Sequence, residues 1–206
     1  MSMYQVVRRG VGALAVIGVM AACSSPTHVA GEPSAVGTPA TSTSPAPGGT
    51  GQAPRVPAAL PVQGILADPC TALASTQAGT IGLLVKGTPA NLAAPACSWT
   101  SATSTSNEVF ISPVPENKNG LSDTYTISAN QKYKVFQPTT VDGYPGAYAD
   151  PQDDRPNGTC TLWVGVTDQL AVMVEAQIGT GVNKSNPCPV AAKVGAAMIE
   201  HLKGAA

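Results

Sequence analysis

The sequence predicts an α+β domain: an antiparallel sheet of about five to six strands, with a short N-terminal helix and a C-terminal amphipathic helix packed on one face. Residues 160–178 alternate apolar and polar side chains on either side of a central turn, which is typical of a β-hairpin. Residues 189–203 carry an apolar residue at every fourth position from Val190 to Leu202, which is typical of an amphipathic helix. Four cysteines spread over the same part of the chain predict two disulfides.

The composition excludes some classes of protein. The chain of 206 residues has 11 Lys and Arg against 12 Asp and Glu, so its formal net charge is −1. Proteins that bind nucleic acid carry basic patches and a high pI, and we therefore expect no nucleic-acid partner. Charged residues make up 11% of the chain and aromatic residues 4%, beside 21 Gly and 19 Pro. This mixture predicts a modest core joined to a segment that does not fold.

Residues 1–22 have the pattern of a signal peptide. Arg8 and Arg9 precede residues 10–22, which carry no charge. A helix of that length measures only about 20 Å, which is shorter than the roughly 30 Å hydrocarbon core of a bilayer. A basic start followed by a short apolar run therefore predicts a secretory signal rather than a permanent membrane span.

The signal ends in a motif that predicts lipidation. The run Val19-Met20-Ala21-Ala22-Cys23 resembles a bacterial lipobox, with small residues at the two positions before the cysteine. The resemblance implies that Cys23 receives a diacylglyceryl group and becomes the mature N-terminus. Two or more acyl chains, palmitate among them, would then anchor the protein to the extracytoplasmic face of the cell membrane. A plain secretory signal cleaved after Ala22 is the alternative.

The chain after the signal divides into a tether and one domain. Residues 23–57 are dominated by Ser, Thr, Pro, Gly and Ala and contain no aromatic residue. Such a segment cannot bury enough apolar surface to offset its ordering entropy, so we expect a disordered tether with a reach of roughly 30 Å. Its Thr-Pro and Ser-Pro clusters leave O-glycosylation open. Residues 58–206 form the single disulfide-stapled domain, with enough chain for one complete core.

Four cysteines remain for disulfides once Cys23 is set aside, namely Cys70, Cys97, Cys160 and Cys188. Four cysteines allow three connectivities. We favour Cys70–Cys97 and Cys160–Cys188, because this pairing has the shorter loops and joins each helix start to a strand start. The spacings contain no C-x-x-C pair and no nearby histidine, so we expect no metal site. A reactive thiol at a helix start is the alternative to a disulfide.

The elements before the hairpin have weaker patterns. Asp68 is a good N-cap and Pro69 suits the first turn, so the sequence predicts a helix over residues 70–78. Residues 120–130 fit either a short helix or a loop. Strands are predicted at residues 97–102, 107–112 and 133–137, with a turn at 142–146 and an extended segment at 147–149.

The final helix has a clear start signal. Asn186 is a good N-cap and Pro187 suits the first helical position, directly before Cys188. The apolar stripe of residues 189–203 should pack on the sheet, because a membrane-surface helix would carry more basic residues on its polar face.

No catalytic or metal-binding arrangement stands out, and we expect no cofactor. His201 lies near the end of the last helix, where the helix dipole favours a cationic side chain, and no G-x-S-x-G motif accompanies it. Asp150, Asp153 and Asp154 offer oxygen ligands for calcium, but Arg155 and two prolines interrupt the loop. A solvated loop is the simpler interpretation.

Three aromatic residues form the expected binding surface. Trp163 alternates with Leu162 and Val164 along its strand, so it should point away from the helix-covered face, toward solvent or a cleft. Tyr144 lies in the predicted turn at 142–146 and Tyr148 in the extended segment at 147–149, and both are grouped with Trp163. Core packing is the alternative for each of them.

A set of motifs in a fixed order resembles a known family. The motifs are Asp68-Pro69-Cys70, Cys97-Ser98-Trp99, V-D-G-Y-P at residues 141–145, C-T-L-W-V at residues 160–164 and Asn186-Pro187-Cys188. Together with the lipobox and tether, they resemble actinobacterial, mycobacterial-type cell-envelope lipoproteins with a domain of unknown function, over residues 60–204. Asn186 stands where Asp is commoner, and both residues cap helices. The resemblance implies export, lipidation and disulfides, and it transfers no catalytic residue.

We therefore expect a lipid-anchored cell-envelope lipoprotein that acts as a non-enzymatic binding module. It would contact the membrane through its lipidated N-terminus and bind an envelope protein, wall or lipid component through the sheet face or a cleft beside it. The alternative is a carrier or sensor for a small apolar or lipid-like ligand held between helix and sheet. An enzyme is the third hypothesis, and it would need a concave site with perturbed carboxylates or His201. The sequence leaves the oligomeric state open.

Overall fold

The computed structural model of this protein describes residues 51–92 and 94–205. The predicted signal peptide, Cys23 and most of the predicted tether lie outside these residues. Within them, seven strands form one antiparallel sheet in the order β1-β2-β3-β7-β6-β5-β4. The predicted α+β class is confirmed, with slightly more strands than expected. None of the helices found in this part of the chain is long and apolar enough to cross a bilayer.

The elements follow one another along the described chain. The strands are β1 Thr88–Asn91, β2 Pro95–Thr100, β3 Asn107–Val114, β4 Val135–Val141, β5 Tyr144–Asp150, β6 Thr159–Thr167 and β7 Leu170–Ile178. The helices are α1 Gln63–Ala67, α2 Ser75–Thr80, α3 Leu121–Ala129 and α4 Cys188–Gly204. Short 3-10 turns occupy Pro69–Ala72, Arg155–Asn157 and Val182–Ser185.

The predicted hairpin forms two central strands of the sheet. β6 and β7 pair in antiparallel register, with Leu162 opposite Val174 and the turn at residues 168–169. Leu162, Val164 and Val166 are fully buried on the face that α4 covers, which we call the first face. Burying these alternating aliphatic side chains fixes the register, because a slip by one residue would turn them all outward.

Both edge strands of the sheet contain a proline. Pro89 lies in β1 and Pro138 in β4. Proline has no N–H to offer a further strand, so it suits an edge and limits growth of the sheet. The sequence did not predict β1, because its residues do not alternate in polarity.

α4 packs across the first face as predicted. Val194 and Met198 are buried against the sheet, and Gly195 lets the helix approach it closely. A Cβ added at Gly195 would lie 3.3 Å from Leu162 Cδ2. The predicted cap is wrong, since Pro187 rather than Asn186 holds the N-cap position. Asn186 instead ends the preceding 3-10 turn, where its backbone N–H donates a hydrogen bond to Asn183 O.

The predicted N-terminal helix over residues 70–78 is also wrong in extent. A 3-10 turn at Pro69–Ala72 and the separate helix α2 replace it, with α1 before them. Asp68 does cap the turn, because its Oδ1 accepts a hydrogen bond from Cys70 N–H at 2.9 Å. Leu73 and Ala74 then adopt extended backbone angles, and Leu73 is buried in the core. The chain therefore leaves the helical conformation at Leu73, because the side chain is buried in the core there.

α3 lies against the opposite face of the sheet, which we call the second face. Leu121 and Tyr125 pack with Ala147 and Ala171 in a small apolar cluster that Trp163 borders. Residues 120–130, which fit either a helix or a loop by sequence, thus form a helix. The two faces differ, since α4 covers a large aliphatic core and α3 covers a small one.

Residues 51–57, which the sequence assigns to the tether, pack on the domain. We call residues 51–56 the strap. Thr126 Oγ1 donates to Gly51 O at 3.1 Å, and Ala53 N–H donates to Ser122 Oγ at 3.2 Å. Asp168 accepts two bonds from the strap, from Val56 N–H to its Oδ1 at 3.1 Å and from Arg55 Nη1 to its Oδ2 at 2.7 Å. The strap therefore binds α3 and the β6–β7 turn.

Two disulfides close the fold, with the predicted connectivity confirmed. Cys70–Cys97 joins the first 3-10 turn to β2, with Cα atoms 4.9 Å apart. Cys160–Cys188 joins β6 to the first residue of α4, with Cα atoms 5.1 Å apart. Each bridge links a helical start to a strand, as the sequence analysis expects.

Candidate functional site

The three aromatic residues of the expected binding surface do not share one face. Tyr148 stands opposite Leu162 and Ala147 opposite Trp163, so Tyr148 and Trp163 point to different faces of the sheet. Tyr144 is only 3% exposed and belongs to the core of the first face. The structure therefore separates Trp163 from both tyrosines.

The indole N–H of Trp163 and the ring of Tyr144 each have a partner within the fold. The indole N–H of Trp163 donates to the carbonyl of Ala149 at 3.2 Å. The ammonium of Lys203 lies 5.2 Å from the ring centroid of Tyr144, within the range of a cation–π interaction. Trp163 is half-buried beside α3, as its place on the second face predicts.

The acidic side chains are dispersed and mostly used within the fold. Asp150 accepts a hydrogen bond from Thr161 Oγ1 at 2.8 Å. Arg155 binds Asp153 through two bonds of 2.7 Å, and these hydrogen bonds hold the pKa of the Asp153 carboxyl below its usual value. Among the residues the structure describes, no three His, Cys, Asp or Glu side chains are grouped to hold a metal ion. The loop of Asp150, Asp153 and Asp154 therefore does not converge on a cation position.

Burial raises the pKa of three tyrosines, but it does not bring them together with acids or bases. The groups are Tyr125, Tyr133 and Tyr148, each raised by desolvation. The Asp150 carboxylate adds to the rise in the pKa of Tyr133. His201 lies on α4, half-exposed. None of these groups forms the nucleophile–base contact that covalent catalysis needs.

A cleft lined by both aliphatic and polar residues opens between α4 and one end of the sheet, and we call it the α4 cleft. Its volume is about 300 Å³. Its apolar lining side chains are aliphatic and come from the loop after α2, from β3, from β7 and from α4; they are Ile81, Leu83, Val109, Ile178, Val190 and Val194. A concave, aliphatic surface of this size lies at the lower end of the range for small-molecule sites.

Lys193 is a charged residue that lines the α4 cleft. It follows Val190 by three positions and precedes Val194, so all three lie on one side of the helix. Glu108 also borders the cleft, but its side chain alternates with Val109 and points to the second face. There its Oε1 accepts a hydrogen bond from Thr100 Oγ1 at 3.2 Å.

Three exposed aliphatic residues are neighbours in sequence of residues that line the α4 cleft. Val182 is 91% exposed and precedes Asn183, which lines the cleft. Leu84 and Val85 are 50% and 60% exposed and follow the lining residue Leu83.

A second concave surface lies at the other end of β7 and is polar. It has a volume of about 480 Å³ and is bordered by the strap, α3 and the β6–β7 turn. Its polar groups are partly paired with one another, since Asp123 accepts bonds from the backbone and side-chain N–H groups of Asn119 at 3.0 and 2.8 Å. The strap forms one side of this groove, and polar groups make up a larger share of its lining than in the α4 cleft.

Sequence reasoning missed both the α4 cleft and the strap. The cleft draws its aliphatic lining from four segments that are distant in sequence, so no local motif marks it. One signal was available, because Lys193 stands directly beside the apolar stripe that runs through Val190 and Val194.

Comparison with known proteins identifies a family but no characterised relative. No curated protein and no solved structure is significantly similar to this chain. A family model described as "Protein of unknown function (DUF3558)" matches residues 18–201. This range holds nearly all of the chain, including every cysteine, and confirms the expected domain of unknown function. The chain belongs to the DUF3558 family.

Proposed function

We propose that this protein is a lipid-anchored binding module of the cell envelope that holds an apolar ligand group in the α4 cleft without catalysing a reaction. The observation that carries the proposal is the set of aliphatic side chains that line the cleft. An apolar group that leaves water for this cleft gains about 25 cal/mol for each Å² that it buries.

Export is supported by the cysteine chemistry. Two disulfides persist in oxidising compartments outside the cytosol and are rare inside it. The charged start, short apolar run and lipobox ending at Cys23 support export by the same route, with a lipid anchor on the extracytoplasmic face. The resemblance to actinobacterial envelope lipoproteins points to the same location.

A binding role is favoured over catalysis by the state of the acidic groups. Asp68 caps a helical turn, Asp153 pairs with Arg155, and Asp168 holds the strap. Catalytic acids and bases need a shared concave site and perturbed pKa values. These three carboxylates lie in different parts of the fold, and each already makes a structural contact.

Two kinds of ligand fit a binding module of this shape. The aliphatic lining between α4 and the sheet favours a small apolar or lipid-like ligand, for a carrier or sensor. The exposure of Val182 favours a protein or wall partner that covers the mouth of the cleft. The aliphatic lining residues favour the first, and we take it as the main hypothesis.

The anchor is tested by metabolic labelling with radioactive palmitate in the native host. We expect label in the wild-type protein and in a Ser24→Ala control, both in the membrane fraction. Cys23→Ala should carry no label, because the acceptor thiol is missing. Label retained by Cys23→Ala, or unlabelled wild-type protein free in the medium, would contradict the anchor.

The cleft is tested with a neutral amphiphile on the full-length chain carrying Cys23→Ala, so that no covalent acyl chain competes. We expect decyl maltoside, below its micelle concentration, to shift the methyl NMR signals of Val109, Val190 and Val194 in a saturable way. Val190→Asp should weaken this binding, and Leu66→Asp, an exposed position outside the cleft lining, should not. Shifts spread evenly over the protein, or none at all, would contradict the proposal.

A further inference from the structure

We propose that the α4 cleft binds a single-chain anionic amphiphile, an aliphatic chain of up to about ten carbons that ends in a carboxylate. This inference rests on the proposed function, because it names the ligand class of the same cleft. Two independent features carry it: the aliphatic lining that accepts the chain, and the one ammonium group that faces the carboxylate.

The lining matches an aliphatic chain in chemistry and size. Its apolar side chains are aliphatic, so the contacts favour a flexible hydrocarbon over a stacked aromatic ring. The volume of about 300 Å³ equals roughly ten water-sized volumes, and a methylene group occupies about as much space as a water molecule. One chain of about ten carbons therefore fills the cleft, and a two-chain lipid does not fit.

Lys193 gives the cleft its preference for an anion. Its ammonium is exposed and is absent from the ion pairs that the described residues form, which join Arg55 to Asp168, Arg155 to Asp153 and Lys203 to Asp142. The Glu108 side chain is held on the second face by Thr100 and does not neutralise it. A ligand carboxylate at the mouth would therefore receive a charge-assisted hydrogen bond from Lys193.

The position of the cleft on α4 adds to this preference. Pro189 and Val190, in the first turn of a helix of 17 residues, line the cleft. The N-terminal end of a helix carries a partial positive charge, which favours an anion within the first turn. Lys193 and the helix end thus act in the same direction, while the aliphatic lining supplies the affinity for the chain.

The concave lining favours a single free chain over a membrane surface. A bilayer offers its apolar chains beneath a layer of headgroups, so it is bound by protruding side chains such as Val182. Four of the six aliphatic lining residues, Leu83, Val109, Ile178 and Val194, are buried, so a flat bilayer surface makes less contact with them than a chain lying in the cleft. Docking on anionic membranes is therefore the competing result that the experiment has to detect.

The experiment compares two amphiphiles of equal chain length and opposite charge by titration calorimetry. The full-length chain carrying Cys23→Ala is titrated with decanoate and with decyltrimethylammonium, each below its micelle concentration. We expect saturable binding of decanoate and at least tenfold weaker binding of the cation. Lys193→Gln should weaken decanoate binding about three- to tenfold, since a hydrogen bond to a charged group is lost. Lys132→Gln, an exposed lysine outside the cleft, should leave it unchanged.

Each remaining outcome counts against the inference. Equal affinity for both amphiphiles, or an unchanged affinity in Lys193→Gln, would overturn the anionic class while leaving an apolar binding cleft in place. Binding to anionic vesicles without any binding of free decanoate would replace the proposal with membrane docking. Failure of decanoate, the cation and decyl maltoside alike would overturn the proposed function together with this inference.

Discussion

Removing the disulfide between Cys160 and Cys188 should cost about 3.6 kcal/mol of the free energy of unfolding. The bridge closes a loop with a sequence separation of 28 residues. Chain-entropy theory gives a loop of this length an entropy loss of about 12 cal/mol/K in the unfolded state, which is about 3.6 kcal/mol at 25 °C. For a domain of this size, the melting temperature should fall by about 7 to 14 °C. The double variant Cys160→Ala/Cys188→Ala leaves no free thiol at either position.

Urea unfolding followed by tryptophan fluorescence provides the measurement, because Trp99 is buried in the core and Trp163 is half-buried. The matched control is the double variant that removes Cys70–Cys97, whose loop separation of 27 residues predicts nearly the same loss. A loss below about 1 kcal/mol in the first variant would refute the argument from the unfolded chain. A loss far larger than in the control would show that the contact of α4 with β6 dominates instead.

Three further predictions concern single side chains. Asp168→Ala should speed hydrogen exchange of the Val56 N–H, because that amide loses its acceptor. Gly195→Leu should cost about 1 to 3 kcal/mol of unfolding free energy, since the helix lies too close to the sheet for a larger side chain. Arg155→Gln should raise the pKa of Asp153 toward its ordinary value, as read from an NMR titration. Because the folded pKa is depressed, the pair adds stability above the unfolded pKa of the aspartate, and this is lost as pH falls through the folded pKa.

Each of these predictions has a matched control. Arg55→Ala should leave the exchange of Val56 N–H slow, because the Arg55 side chain is 87% exposed and Asp168 still accepts from the amide. Gly204→Leu should have little effect, since nothing lies within 4 Å of a Cβ there. Equal effects of each variant and its control would contradict the contacts named here. An unchanged Asp153 titration in Arg155→Gln would exclude Arg155 as the cause of the low pKa.

The sheet centre, the last helix and the disulfides could be predicted because local patterns determine them. Alternation from Leu162 onward specifies which side chains β6 buries, and the four-residue spacing from Val190 specifies the apolar side of α4. The disulfide pairing could be predicted for a similar reason. In each pair a helical start and a strand start lie within 28 residues of each other, so a short loop can bring the two cysteines together. Burial of an alternating or helical stripe dominates the energy there, and it is visible in sequence.

The rest depends on contacts that have no local pattern. The strap is held largely by backbone N–H and C=O groups, which every residue carries, so its Gly- and Pro-rich sequence resembles a linker. The break at Leu73 arises because the core captures its side chain, which a helix propensity cannot reveal. The separation of Trp163 from Tyr144 follows from the register of β5 on β6, and register between strands is a tertiary property.

The strap and the α4 cleft lie at opposite ends of β7. β7 begins directly after the turn that contains Asp168, which accepts a hydrogen bond from the strap. The strand ends at Ile178, which lines the cleft. Nine strand residues span roughly 26 Å, so the strap and the cleft are separated by about the length of this strand. A force applied through the strap would therefore act at one end of β7, and the α4 cleft lies at the other end, remote from the point of attachment.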